Sequence, residues 1–132
     1  MASCHFNSQY IDRTEDKMAG EVVTNKLYDY IKNKKYEETI SLCSQNFFEK
    51  STKEDFIKLL QVVNEKIGDL EDVNIDSWNT RRVVGSNPSA NYLFIYKNKY
   101  AKFTATETIK LTREQDDQIR IIAYNIQVDG FE

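Results

Sequence analysis

The chain has 132 residues, a length that suits one domain with a real hydrophobic core. Apolar residues make up 40% of it and aromatic residues 12%, which is globular rather than disordered composition. A net charge of −3 leaves no basic excess to drive phosphate binding, so nucleic acid is not an expected partner. No apolar run approaches the roughly 18 residues needed to span a bilayer.

The chain opens on Met-Ala-Ser-Cys and a polar stretch, HFNSQYIDRTEDK. A signal peptide needs a positive end and an apolar run, and neither is present. Ala2-Ser3-Cys4 nevertheless resembles the last positions of a bacterial lipoprotein signal, where small residues precede the cysteine that takes the lipid. On that reading Cys4 is the lipidation site and residues 1–13 are a flexible tether, followed by one domain over 14–132. Localisation is then the bacterial cell envelope. The alternative is a cytoplasmic protein with an exposed Cys4 thiol. Cys43 lies on a helical pattern and reads as a buried small hydrophobe.

From Thr14 to Asn33 the apolar residues Met18, Val22, Val23, Leu27, Tyr30 and Ile31 fall at three- and four-residue steps, which predicts a helix. A short helix is expected over Tyr36–Ser44, with Phe47 and Phe48 plugging the core from a loop. Thr52 is a candidate N-cap for a third helix, with Glu54 and Asp55 in its first turn and Gly68 as its C-terminal stop. The period then changes. Leu70, Val73, Ile75 and Trp78 suggest a first strand, which Arg81–Val84 extends or returns. Gly85–Ser89 is a turn, and strands are expected at about Asn91–Tyr100, Lys102–Thr112 and Gln118–Asp129. The junction at 100–102 lacks a turn signal and reads as a bulge or a tight turn without glycine.

Helices followed by an antiparallel meander predict an α+β domain, with the helices on a curved sheet of about four strands. Tyr92, Phe94, Tyr96 and Tyr100 share one face of their strand. Ala105, Glu107, Ile109 and Leu111 share a face of the next, opposite Thr104, Thr106, Thr108 and Lys110. The last strand is apolar on both sides, which suggests a central strand, one covered on both faces, or an oligomer interface.

The helix order, the Asn-Phe-Phe plug, the Ile-Gly helix end and the strands YAKFTATETIKL and IRIIAYNIQ resemble the nuclear transport factor 2-like (cystatin-like) superfamily over about residues 18–129. Its small bacterial, often secreted or lipid-anchored domains of unknown function are the nearest likeness. The resemblance implies a cone whose sheet wraps around the helices and whose open end is a pocket. Its members include enzymes and plain binding or dimerisation modules, so it implies no single activity.

One histidine, His5, precedes the domain. This excludes a Ser-His-Asp triad, a Cys-His pair and a histidine-rich metal site within it, and no cofactor motif is present. What remains is Glu107 as a candidate general base, with Tyr96, Tyr124 and Trp78 as candidate ligand-binding residues. An inward carboxyl has its pKa raised by desolvation, which suits a base. The plainer alternative is a Glu107 that satisfies buried polar groups. Three functions follow: a non-catalytic module binding a small molecule or protein, a pocket enzyme of isomerase or hydrolase type, and a homodimerisation domain.

Overall fold

A computed structural model describes residues 8–130. Strand β1 (Ser8–Ile11) leads into α1 (Thr14–Lys32), a 3-10 segment (Tyr36–Leu42), the single turn α2 (Phe47–Lys50) and α3 (Lys53–Ile67). Strands β2 (Leu70–Asp72), β3 (Ile75–Val84), β4 (Ser89–Tyr100), β5 (Thr104–Arg113) and β6 (Ile119–Val128) complete the chain. They form one antiparallel sheet in the order β1-β3-β4-β5-β6, with β2 pairing β4 beyond the end of β3. The sheet has six strands, not about four. The two extra strands are too short to carry a periodic signal of their own.

Ser8–Ile11 falls in the stretch read as tether, yet it pairs with Arg81–Val84. Four residues give too few alternations to distinguish a strand from a polar loop. Its end is tied down by Asp12, whose Oδ1 accepts the Thr80 amide at 2.8 Å. Cys4 and His5 lie outside the described residues.

The helices form where capping and periodicity agree. Thr52 caps α3 by accepting the Asp55 amide at 3.1 Å, and Gly68 ends it at φ 89°, where a side chain would be strained. The turn between β4 and β5 is tight and has no glycine. It holds because the Ala101 amide donates to the carbonyl of Asp69, just beyond α3, and the Lys102 amide to that of Ile67, the last residue of α3. Gly20 of α1 serves close approach: a Cβ there would lie 2.7 Å from the Phe94 ring. Phe47 and Phe48 sit on a helical turn rather than in a loop, and Phe47 stacks edge-on against Phe56 of α3 at 4.9 Å.

The helices cover one sheet face only. Tyr92, Phe94, Tyr96, Ile109, Leu111 and Ile121 are buried beneath Leu27, Phe56 and Leu60. The last strand is neither central nor covered on both faces. It is the end of the sheet path, and its second apolar face comes from a bulge. Leu111 pairs with Ile121 and Lys110 with Ala123, so Ile122 is an extra residue. The register after it puts Tyr124, Ile126 and Val128 on the same inner face as Ile119 and Ile121.

Candidate functional site

Glu107 stands in the middle of β5, directly between Tyr96 on β4 and Ile126 on β6. Its side chain points into the helix layer and is wholly buried. Period-2 alternation brings the next inward neighbours to its flanks: Asn98 and Tyr100 along β4, and Tyr124 along β6. Tyr28 reaches the same carboxylate from α1.

Four side chains donate to it. Tyr28 Oη–H and Tyr124 Oη–H donate to Oε1 at 3.3 and 2.5 Å. Asn98 Nδ2–H and Tyr100 Oη–H donate to Oε2 at 2.6 and 2.8 Å. An ionised carboxylate offers about four lone-pair sites, so each has a protein donor. The donors are held by packing: Tyr28 meets Tyr96 edge-on at 4.9 Å, and Tyr124 meets Phe56 of α3 edge-on at 5.7 Å.

Burial pushes the Glu107 pKa above the ordinary carboxylate value, and the four hydrogen bonds work against that rise. Burial, then the Glu107 charge, holds the Tyr28, Tyr100 and Tyr124 phenols well above their ordinary values. They therefore stay protonated donors through the physiological range. A raised pKa is one requirement of a general base, but a base also needs a free lone pair within reach of its substrate. Glu107 has its lone pairs engaged and no exposed surface. The arrangement closes α1, β4 and β6 around one carboxyl of β5 and does what buried polar networks do when fully satisfied: it fixes a unique packing.

The sequence-named residues divide around this centre. Tyr124 touches Glu107. Tyr96 does not: its hydroxyl donates instead to Thr24 Oγ1 of α1 at 2.7 Å, and burial pushes its pKa up to about 12. Trp78 is half-buried on β3, with the Lys17 ammonium 5.5 Å from its ring centroid. Sequence reasoning missed Tyr28, Asn98 and Tyr100. The last two lie at even spacing from Tyr96 and could have been found by carrying the strand alternation on. Tyr28 belongs to a distant helix, and nothing local marks it.

Open surface lies elsewhere. A cavity of about 800 Å³ runs between α2 and the β5–β6 hairpin, lined by Ser44, Phe48, Lys53, Arg113, Glu114 and Arg120 among others. Its arginines are paired, whereas the Lys53 ammonium lies over the Phe48 ring at 5.6 Å. Arg120 bridges Glu114 and Asp116, each at 2.8 Å, and Arg113 pairs with Asp117 at 3.1 Å. A second depression, about 360 Å³, lies on the sheet face away from the helices, where Ile11, Arg81, Leu93, Lys110 and Ile122 meet. Cys43 is a buried free thiol, its pKa pushed up to about 12 by burial. Among the described residues no cluster of His, Cys, Asp or Glu is placed to hold a metal ion, and no helix is long and apolar enough to cross a membrane.

Residues 23–124 match the family model described as a protein of unknown function, DUF4019. The chain belongs to the DUF4019 family. Glu107 and its four donors all lie within the matched span, whereas β1 lies outside it. No curated protein and no solved structure matches the chain.

Proposed function

We propose that this DUF4019 domain is a non-catalytic module that works by binding another protein. The observation that carries this reading is the closure of Glu107. The one carboxyl whose setting suggests acid–base chemistry is 0% exposed and accepts four protein hydrogen bonds. A substrate would have to break that network to reach it. The uncovered sheet face supports the same reading, because a single-layer sheet left open on one side is available for docking.

The setting we propose is the bacterial envelope, with Cys4 as the lipid-bearing residue. Ala2-Ser3-Cys4 supports this. The order of helices and meander likewise supports a nuclear transport factor 2-like cone. Mass spectrometry of the mature protein tests the anchor: diacylglycerol on Cys4 is expected, and an unmodified Cys4 thiol rejects it.

Proton NMR tests the closure. Hydroxyl protons of Tyr28, Tyr100 and Tyr124 are expected as resolved downfield signals that exchange slowly with water. Rapid exchange at all of them would show water reaching Glu107 and restore the alternative of a pocket enzyme with Glu107 as base.

A further inference from the structure

Strand β6 ends the sheet path, and its far side is an edge. The ladder to β5 fixes which of its backbone groups face that edge. The Glu114 amide donates to the Gln118 carbonyl at one end of the hairpin, and the Asp129 amide to the Thr104 carbonyl at the other. In an antiparallel ladder such hydrogen-bonded pairs alternate with pairs whose N–H and C=O turn away. Counting back from Asp129, Gln127, Asn125 and Ala123 face β5, whereas Tyr124, Ile126 and Val128 turn both groups outward. Near its start the edge is protected. The Ser44 amide donates to the Ile121 carbonyl at 2.8 Å, and the bulge follows at Ile122. Beyond the bulge, no backbone hydrogen bond among the described residues reaches Tyr124, Ile126 or Val128 from the open side.

Sheet edges are ordinarily blunted by charge, proline, a bulge or brevity. The edge strand at the other end, β1, is four residues long. Residues 123–128 carry none of these devices: no charged side chain, no proline and no further bulge. The inner face is also incompletely covered here. Ala105, Glu107 and Ile109 of β5 are 0% exposed, yet Ile126 and Val128, one strand further out on the same face, are only half-buried.

We infer that β6 pairs antiparallel with β6 of a second copy of this chain, about a two-fold axis at Ile126, so that two sheets join into one. The axis position follows from the backbone. Outward residues must meet outward residues, and centring on Ile126 sets Ile126 against its own counterpart and Tyr124 against Val128 of the second copy. Every outward N–H and C=O of these residues then has a partner. The side chains fit the same register. On the outer face Asn125 lies opposite Gln127, in a pair of the closer, non-hydrogen-bonded kind, where their amides can bond each other. On the inner face Ile126 meets itself and Val128 meets Tyr124. No charge in residues 123–128 opposes its own copy. An unrelated strand would gain the backbone bonds but not these matched pairs. A seam of this length spans about 17 Å, far short of a standard interface, so the dimer is weak, with a dissociation constant of roughly 10 μM to 1 mM. Assembly closes at two copies, because the pairing uses up the unprotected edge. The seam is separate from the outer sheet face and does not depend on what docks there.

The test is sedimentation velocity of the full chain under reducing conditions, from about 10 μM to 1 mM, with amide hydrogen exchange at both ends of that range. The mass should rise from one chain toward two and no further. The Tyr124, Ile126 and Val128 amides should exchange quickly at the low concentration and slowly at the high one, while Asn125 and Gln127, already bonded to β5, stay protected at both. Asn125→Lys with Gln127→Lys sets cations opposite one another across the seam. The pair should weaken dimerisation roughly tenfold or more and leave the circular dichroism unchanged. Mixing that variant with Asn125→Glu, Gln127→Glu should restore a dimer of mixed composition. A single-chain mass throughout the range, growth beyond two chains, a dimer indifferent to the lysines, or no mixed dimer overturns the inference. So does slow exchange of Tyr124, Ile126 and Val128 at the low concentration, since the edge is then covered within one chain.

Discussion

Strand β5 presents two surfaces one residue apart. Inward, Glu107 is sealed under helices with four donors on its carboxylate; outward, Thr106, Thr108 and Lys110 lie on the sheet face that no helix covers. The carboxyl whose pKa burial raises lies on the side without access. Desolvation and hydrogen bonding act alike at active sites and at structural anions, so a shifted pKa alone does not tell them apart. Access and spare lone pairs do. In this protein both point to an inner face that holds the fold.

The largest way to break the comparison is to remove the inner carboxyl. Glu107→Leu leaves four buried donors without an acceptor, each costing about 1–3 kcal/mol, offset in part by no longer burying a charge. We expect a net loss of roughly 4 kcal/mol or failure to fold, read from urea unfolding. A loss under about 1 kcal/mol would mean the network contributes little to stability.

Single donors should cost less and in a definite order. Tyr124→Phe removes the 2.5 Å bond and Tyr28→Phe the 3.3 Å bond to the same oxygen. The first should destabilise by about 1–2 kcal/mol and the second by about 1 kcal/mol or less. Both should push the Glu107 pKa higher, because each removes a donor that favours the charged form. Equal losses, or a fall in that pKa by carboxyl-carbon NMR, would contradict the geometry.

The pH dependence follows from the direction of that shift. Glu107 has a folded-state pKa above its ordinary value, so folding favours its protonated form. The stability linked to Glu107 is fully present below the ordinary carboxylate pKa of about 4.3 and is lost as pH rises through the folded-state value. Subtracting the unfolding free energies of Glu107→Gln from those of the native chain at each pH isolates this contribution. The difference should move against the native chain on going from acid to neutral pH. A flat difference, or one moving the other way, would indicate a carboxylate stabilised beyond its burial cost.

Legibility in the sequence divided along the same line. Strand alternation placed Glu107 inward with Ala105 and Ile109, and helix periodicity with the Thr52 cap and Gly68 stop marked α1 and α3. The partners of Glu107 were harder to see. Tyr96 lies directly opposite in register, yet its hydroxyl extends into the helix layer and meets Thr24. The diagonal residues Asn98, Tyr100 and Tyr124 reach the carboxylate instead. Tyr28 is 79 positions away in the chain, and only packing brings it there. The apolar pattern of β6 misled for another reason: a one-residue bulge at Ile122 is invisible to a strict period of two and made one inner face look like two.

The smallest expected effect is the most discriminating one. Lys110→Glu replaces an exposed residue that no ion pair holds among those found between described residues. Exposed charges interact weakly through solvent, and a glutamate on a strand forfeits only a little propensity. Unfolding free energy should stay within about 0.5 kcal/mol of the native chain. A larger loss would mean that the outer face takes part in holding the sheet together, and the two sides of β5 would then share one structural task. Near-neutrality in stability, beside the large cost of Glu107→Leu, is what a division between a folding face and a docking face requires.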